Sequence, residues 1–335
     1  MQIPVDIKAV IDEATNIDEA RATPISVSIY MDETAPGDVQ AHVRQAFASA
    51  SAHARVSMVY FPSFPVVAAP DADMAVIVAG LDEHVGAYAA DIRAAGVPVM
   101  VVTTLPGLAA EIAEASGHPI LEDDLVAPAI DDVLALPEQA GSANEPYSLT
   151  IDGALSLNKR MGEWVIEACR EKRLAFALAF RFVRKPLSLE AVNATAVQNA
   201  GIGLVVILPG ADLPIMTLNQ AKMLLQIAAA YGQPLSAERI KELAAVVGGA
   251  FLFRNIARTA VGVVPVLGWA IKGAVGFAGT EAMGHAAIEY FEAGGDIVGV
   301  ASVVQKARDE AVELILHASG AIKGPADDGG KGKEQ

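Results

Sequence analysis

An acidic loop occupies the position at which a phosphate-binding loop would be expected. Residues 32–39 read Asp-Glu-Thr-Ala-Pro-Gly-Asp-Val and follow a short apolar run. A phosphate-binding loop reads Gly, four residues, then Gly-Lys-Ser/Thr, because backbone N–H groups and a lysine meet anionic oxygens there. Only Gly37 fits, since Asp32 replaces the first glycine, Asp38 the lysine and Val39 the hydroxyl residue. Carboxylates in this loop would repel a triphosphate, so the loop predicts a protein that is not a nucleotide-hydrolysing enzyme and binds no cofactor.

Two acidic clusters have an alternative interpretation as metal sites. Asp32, Glu33 and Asp38 are ligands of the kind that hard cations prefer, but the loop lacks the alternating spacing of a calcium site. Glu281, His285 and Glu289 recur at every fourth residue and share one helix face. One face rarely supplies a complete metal shell, so we favour a polar stripe and predict no metal at either cluster.

The remaining candidates are interaction residues rather than catalytic ones. Asp212 lies in a Pro-Gly-Ala-Asp-Leu-Pro segment, where it is expected to cap a turn or helix; in a membrane it would be costly and functional. Cys169 is the only cysteine and is expected to be buried. The candidate interaction set is Asp212, Gln220, Arg254, Arg258, Glu281 and His285.

The acidic loop belongs to an alternating pattern of strands and helices. The predicted strands are 25–31, 56–61, 74–79 and 97–103, and the predicted helices are 39–51, 83–95, 105–116 and 128–136. The last two strands are continuous apolar runs, as in a parallel sheet covered on both faces. The run at 25–31 alternates, which predicts a strand with one wetter face. The pattern favours a doubly wound α/β domain over residues 1–136.

Residues 137–148 have the composition of a linker and end this domain. The sequence then predicts a helical domain over residues 149–320 and a disordered tail over residues 321–335. Predicted helices cover 155–182, as one segment or two, then 188–206, 217–231, a segment from Ser236, 243–253, a glycine-rich stretch to 291 and 298–318. Thr217 and Gln220 fit a capping box, and Gly232 fits a helix C-terminus.

Charge is divided unevenly between the two regions. Residues 1–150 hold 22 acidic and 5 basic side chains, a net charge of −17, whereas residues 151–335 hold 18 and 19, a net charge of +1. Nucleic-acid affinity comes largely from neutralising phosphates. The acidic region therefore argues against nucleic acid as a partner.

Membrane contact remains open from composition alone. Mean hydropathy is +0.39, yet no run gives a clean span of about 20 apolar residues. Glycines between 268 and 284 and the basic residues before 191 favour membrane contact. Glu163, Glu167 and Glu171 lie among those basic residues at helical spacing, which favours an ordinary solvated face instead.

Three stretches of the helical region carry a family resemblance: residues 218–232, 246–258 and 265–287. Together they resemble the YcjF-type domain of unknown function, over about residues 190–292. That family has no established chemistry; in bacteria it often follows a Ras-like GTPase domain of the Era/EngA sort, and relatives are inner-membrane proteins. The resemblance therefore implies that residues 1–136 are a Ras-like domain without nucleotide motifs. The Asp-x-x-Gly motif of such a domain, often Asp-Thr-Pro-Gly, would fall on residues 60–63, where only Pro62 matches. The Asn-Lys-x-Asp motif would fall on residues 103–106, where nothing matches. The Ser-Ala-Lys motif would fall near residues 117–119, where no clear counterpart exists.

These observations predict a non-catalytic adaptor or scaffold on the cytoplasmic side of a bacterial inner membrane, or in the cytoplasm. Its partners would be an unknown protein, inner-membrane lipid or a second copy of the chain. Two alternatives stay open: a GTP-dependent switch with non-standard contacts, and a soluble helical scaffold.

Overall fold

The computed structural model describes residues 17–129, 149–205, 212–233 and 268–294. Five strands form one sheet in the order β2-β1-β3-β4-β5, and every neighbouring pair is parallel. This is one of the common doubly wound orders, so the prediction of an α/β fold is confirmed. The strands are β1 Ile25–Asp32, β2 Ala54–Phe61, β3 Met74–Val78, β4 Val99–Val102 and β5 Leu125–Val126.

Strands β3 and β4 consist of apolar residues that are all buried. A strand in the middle of a parallel sheet has both faces covered, which explains a continuous apolar run rather than an alternating one. The predicted strands agree with β1 to β4 apart from their ends. Strand β5 was not predicted, because Leu125 and Val126 make too short a run to indicate a strand.

The prediction that β1 has one wetter face was wrong. Strand β1 pairs with β2 on one side and β3 on the other, and its alternate residues Ser28 and Tyr30 are buried. Their polar atoms have partners within the protein: Tyr30 Oη donates to the carbonyl of Val67 at 2.6 Å, and Ser57 Oγ lies 3.3 Å from Ser28 Oγ. The alternation of polar and apolar residues in β1 therefore reflects buried hydroxyl groups that form hydrogen bonds within the protein, and not a face in contact with solvent.

Two cores cover the two faces of the sheet. One contains the odd-numbered residues of β1 together with apolar residues of five helices. The other contains Tyr30 and alternate residues of β3 and β4, and it packs against the helix after β3. The helices up to residue 179 are α1 Ile17–Ala22, α2 Gly37–Ala46, α3 Val85–Ala94, α4 Pro106–Ala115, α5 Ile151–Ala168 and α6 Arg173–Ala179.

The described residues form two compact units, and the division differs from the predicted one. One unit holds residues 17–129, 149–188 and 229–233, and the other holds 189–205, 212–228 and 268–294. Residues 149–188, which the sequence places with the helical domain, pack with the sheet because Leu157, Met161 and Phe176 belong to the same core as β1.

The later helices are α7 Arg181–Val205, α8 Asp212–Ala230 and α9 Gly268–Glu292. The predicted capping box was wrong, because α8 begins at Asp212 and both Thr217 and Gln220 lie inside it. Gly232 does follow the end of α8 with a φ of +68°, a left-handed value that glycine adopts without strain. Pro128 and Ala129, the first two residues of the helix predicted at 128–136, are not helical, and its other residues lie outside the described ones. The predicted helices from Ser236, at 243–253 and at 298–318, and the tail, also fall outside the described residues.

Candidate functional site

The sheet order creates one crevice where a doubly wound domain would hold a ligand. Ligands of such domains bind beyond the carboxyl ends of the strands, where consecutive connections leave in opposite directions. Here that point lies between β1, which ends at Asp32, and β3, which is followed by Gly80, Leu81 and Asp82. The acidic loop predicted from the sequence therefore does lie at the position of a ligand site.

The carboxylate of Asp32 fills this crevice. Its side chain is fully buried. Oδ1 accepts hydrogen bonds from the backbone N–H and the hydroxyl of Thr34, both at 2.7 Å. Oδ2 accepts from the backbone N–H groups of Gly80 at 2.7 Å and Asp82 at 3.2 Å. A set of backbone N–H groups at this edge is the usual receptor for a ligand's anionic oxygens; in this chain an internal carboxylate takes that place.

The two loops also approach too closely to leave a cavity at this point. A Cβ atom on Gly80 would lie 2.4 Å from the backbone nitrogen of Ala35, a distance that no side chain could occupy. The hydroxyl of Thr34 accepts the backbone N–H of Leu81 at 2.7 Å, which adds a second link between the loops. Gly80 is therefore required by the closed crevice, and Asp32 joins both sides of it.

The other carboxylates of the acidic loop do not converge with Asp32 on a shared point. Asp38 Oδ1 accepts from its neighbour's N–H, and Oδ2 accepts from the backbone N–H of Leu149 at 2.6 Å. Glu33 is exposed. Among the residues that the structure describes, no three His, Cys, Asp or Glu side chains form a group able to hold a metal ion.

The segment where a GTPase would read guanine carries other contacts. Thr103 and Thr104 follow β4 and are both buried. Thr103 Oγ1 accepts the backbone N–H of Leu105 at 3.0 Å, an internal turn contact. Thr104 Oγ1 is buried without a partner among the described residues. The Asp of an Asn-Lys-x-Asp motif would fall on Pro106, which has no carboxylate with which to read a base.

The predicted interaction residues fall into different environments. Gln220 is buried in the second unit, while Glu281 and His285 form an i,i+4 pair on α9 with Oε2 and Nε2 3.3 Å apart. Asp212 is the first residue of α8, in agreement with a position at a helix start. Arg254 and Arg258 lie outside the described residues.

Gln220 belongs to a buried amide and hydroxyl cluster that the sequence did not reveal. Thr280 Oγ1 accepts from Asn199 Nδ2 and Gln220 Nε2, each at 3.0 Å, and donates to the carbonyl of Gly276 at 2.7 Å. Asn219 Nδ2 donates to Asn199 Oδ1 at 3.1 Å. Side chains from α7, α8 and α9 thus meet in one network. The only sequence signal was the presence of polar residues in otherwise apolar helices.

Cys169 is buried, as predicted. Burial raises the pKa of its thiol to about 12, and the charge of Asp73 acts in the same direction while Lys172 opposes it. Only a thiolate is an effective nucleophile, and burial disfavours that form of Cys169.

Comparisons of the chain with protein-family models, curated proteins and solved structures found no match. The resemblances to a YcjF-type domain and to a Ras-like domain therefore stay predictions. No helix in the described ranges combines the length and the apolar character needed to cross a bilayer.

Proposed function

We propose that this protein is a non-catalytic adaptor whose α/β unit is a degenerate Ras-like domain, closed at its former nucleotide site by Asp32. The observation that carries the proposal is the saturated, buried carboxylate at the β1/β3 crevice, held by Thr34, Gly80 and Asp82. A γ-phosphate would have to displace this charge and reopen four hydrogen bonds. Both steps oppose nucleotide binding.

The same edge presents apolar side chains to solvent, which supports a protein partner. Phe64 follows β2, Leu81 follows β3 and Leu108 lies at the start of α4; their exposed fractions are 61%, 49% and 44%. Apolar side chains exposed along one edge of the sheet offer a protein partner surface to bury. In the adaptor, the partner contacts the edge where a nucleotide would otherwise bind.

Membrane attachment is the second part of the proposal. Its support is the sequence resemblance over residues 190–292 and the basic residues before 191. Fractionation of cells with high-salt and carbonate washes tests it. Retention on membranes through the salt wash supports attachment; complete recovery in the soluble fraction without detergent contradicts it.

Calorimetry and phosphate-release assays with GTP, GDP and ATP, with and without Mg²⁺, test the non-catalytic part. We expect no turnover and no Mg²⁺-dependent binding. Micromolar Mg²⁺-dependent binding that prefers GTP over ATP, or any turnover, would favour the alternative of a nucleotide switch.

A capture experiment tests the adaptor role of the exposed edge. Phe64→Ser is expected to abolish recovery of proteins that the native chain retains, because it removes an apolar contact. Leu155→Ser is the matched control, since Leu155 is 63% exposed on α5. Equal losses from both variants would contradict a role for this edge.

A further inference from the structure

A cavity of about 800 Å³ lies at the opposite edge of the sheet from Asp32. It adjoins Ile25, the first residue of β1, and the loop that leads into β2. Its volume is within the usual range for small-molecule sites. All of its lining residues belong to the α/β unit.

The charged side chains that line this cavity are all basic. Arg21, Arg181 and Arg184 line it, and no Asp or Glu is among its lining residues. Guanidinium groups around one cavity repel one another, and an anion bound among them reduces that repulsion.

Two of these arginines are positioned by backbone carbonyl groups. Arg21 Nη2 donates to Gly232 at 2.6 Å, and Arg184 Nε donates to Ala177 at 3.1 Å. Each such bond uses one of the five N–H donors of a guanidinium group, and the other N–H donors of that group can bind further acceptors. Arg21 also lies 3.9 Å from Asp18, a loose pair at the surface.

Arg181 and Arg184 influence each other directly. Burial lowers the pKa of Arg184, and the charge of Arg181 lowers it further, while Tyr231 opposes these effects. Within the described ranges the guanidinium of Arg181 has no hydrogen bond or ion pair to a side chain. An exposed cation beside a half-buried cation, without a carboxylate between them, is an arrangement that an anion stabilises.

Two hydroxyl groups add donors on the facing loop. Ser49 Oγ accepts the backbone N–H of Ser51 at 3.1 Å, and Ser51 Oγ accepts that of His53 at 3.3 Å. Because each oxygen accepts a bond from the backbone, its own proton remains available for donation. Both serines line the cavity.

We infer that the cavity bounded by Arg21, Arg181 and Arg184 binds the phosphate groups of a soluble phosphorylated small molecule. Guanidinium forks match phosphate oxygens in bidentate pairs, and serine hydroxyls complete such shells. A concave site of this volume favours a small molecule over a flat lipid surface, because concave sites enclose much of their ligand. This site goes beyond the adaptor role and does not depend on it.

Calorimetric titration of the full chain with inorganic pyrophosphate, without Mg²⁺, tests this inference. We expect binding that weakens as NaCl rises, because screening reduces the attraction. Arg181→Gln and Arg184→Gln should each weaken binding about tenfold or more, since each removes a charge-assisted contact. Arg170→Gln is the matched control: it removes the same charge from an exposed arginine that pairs with Glu167 outside the cavity.

Three results would overturn the inference: the absence of pyrophosphate binding, equal weakening by Arg170→Gln, and citrate binding as tight as pyrophosphate. If pyrophosphate does not bind but vesicles containing phosphatidic acid do, the ligand is a lipid headgroup instead. Circular dichroism of each variant must match the native chain; because Arg181 is exposed, Arg181→Gln decides the outcome if Arg184→Gln fails to fold.

The same variants separate this site from the β1/β3 crevice. Nucleotide binding that Arg181→Gln abolishes takes place in the arginine cavity and leaves the adaptor proposal intact. Nucleotide binding that persists in Arg181→Gln and requires Mg²⁺ contradicts the adaptor proposal alone.

Discussion

At the scale of single residues, Asp32 links two loops at the carboxyl edge of the sheet. The sequence predicted an acidic residue at this position, and its repulsion of phosphates stays a prediction. The partners of the carboxylate were not predictable, because Gly80 and Asp82 are 48 and 50 positions away along the chain.

Asp32→Ala should lower the free energy of unfolding of the α/β unit by about 3 kcal/mol, because buried N–H groups lose their acceptor. Asp32→Asn should cost roughly half of this, since one oxygen remains to accept. Chemical denaturation measures both. Asp91→Asn is the control: Asp91 is exposed on α3, so a change within about 0.5 kcal/mol is expected. Equal effects of Asp32→Ala and Asp91→Asn would show that the buried bonds contribute nothing.

His42 should make the stability of the α/β unit sensitive to pH. Burial lowers the pKa of His42, although its contact with Asn158 and the charge of Asp38 oppose this. The neutral imidazole is thus favoured in the folded state. Its stabilising contribution is complete above the unfolded pKa of about 6.5 and is lost as pH falls through the lower folded value.

Melting temperatures at about pH 7.5 and about pH 5 test this expectation. The native chain should lose more stability over this interval than His42→Gln, which keeps a donor for Asn158 Oδ1 2.9 Å away. His53→Gln, at an exposed position, should behave like the native chain. An identical pH dependence of native chain and His42→Gln would contradict the assignment.

At the scale of elements, the sequence predicted the strands whose residues are all buried, but it did not predict a helix end that depends on contacts with distant residues. Strands β3 and β4 were predictable because their apolar runs are continuous. The start of α8 was not, since Thr217 and Gln220 imitate a capping box, whereas Gln220 is in fact drawn into the buried network around Thr280. Local signals indicate helix ends only when tertiary contacts do not use the same side chains.

Glycines of α9 differ in whether a side chain could be added at their positions. A Cβ on Gly284 would lie 2.3 Å from Cγ2 of Val192, whereas a Cβ on Gly279 would meet nothing within 4 Å. Gly284→Ala should therefore destabilise the second unit by about 1–3 kcal/mol through overpacking. Gly279→Ala should stabilise it by up to about 1 kcal/mol, because alanine is the better helix former. Thermal unfolding of the two variants measures the difference, and destabilisation by Gly279→Ala alone would contradict the packing of α9 against Val192.

At the scale of the whole molecule, the two edges of the sheet have opposite electrostatic character. The carboxyl edge contains an internal carboxylate in place of a ligand, and the amino edge contains a cavity lined by arginines. The sequence predicted the first edge from one loop. It could not predict the second, because Arg21, Arg181 and Gly232 come from distant parts of the chain that only the fold brings together.

A crystal of the protein soaked with a non-hydrolysable GTP analogue and Mg²⁺ tests the closed crevice most directly. We predict that Asp32 keeps its bonds to Gly80 and Asp82 and that no nucleotide density appears beside Gly37. Phosphate density against Gly37, with the Asp32 side chain displaced from the two N–H groups, would contradict the closed site.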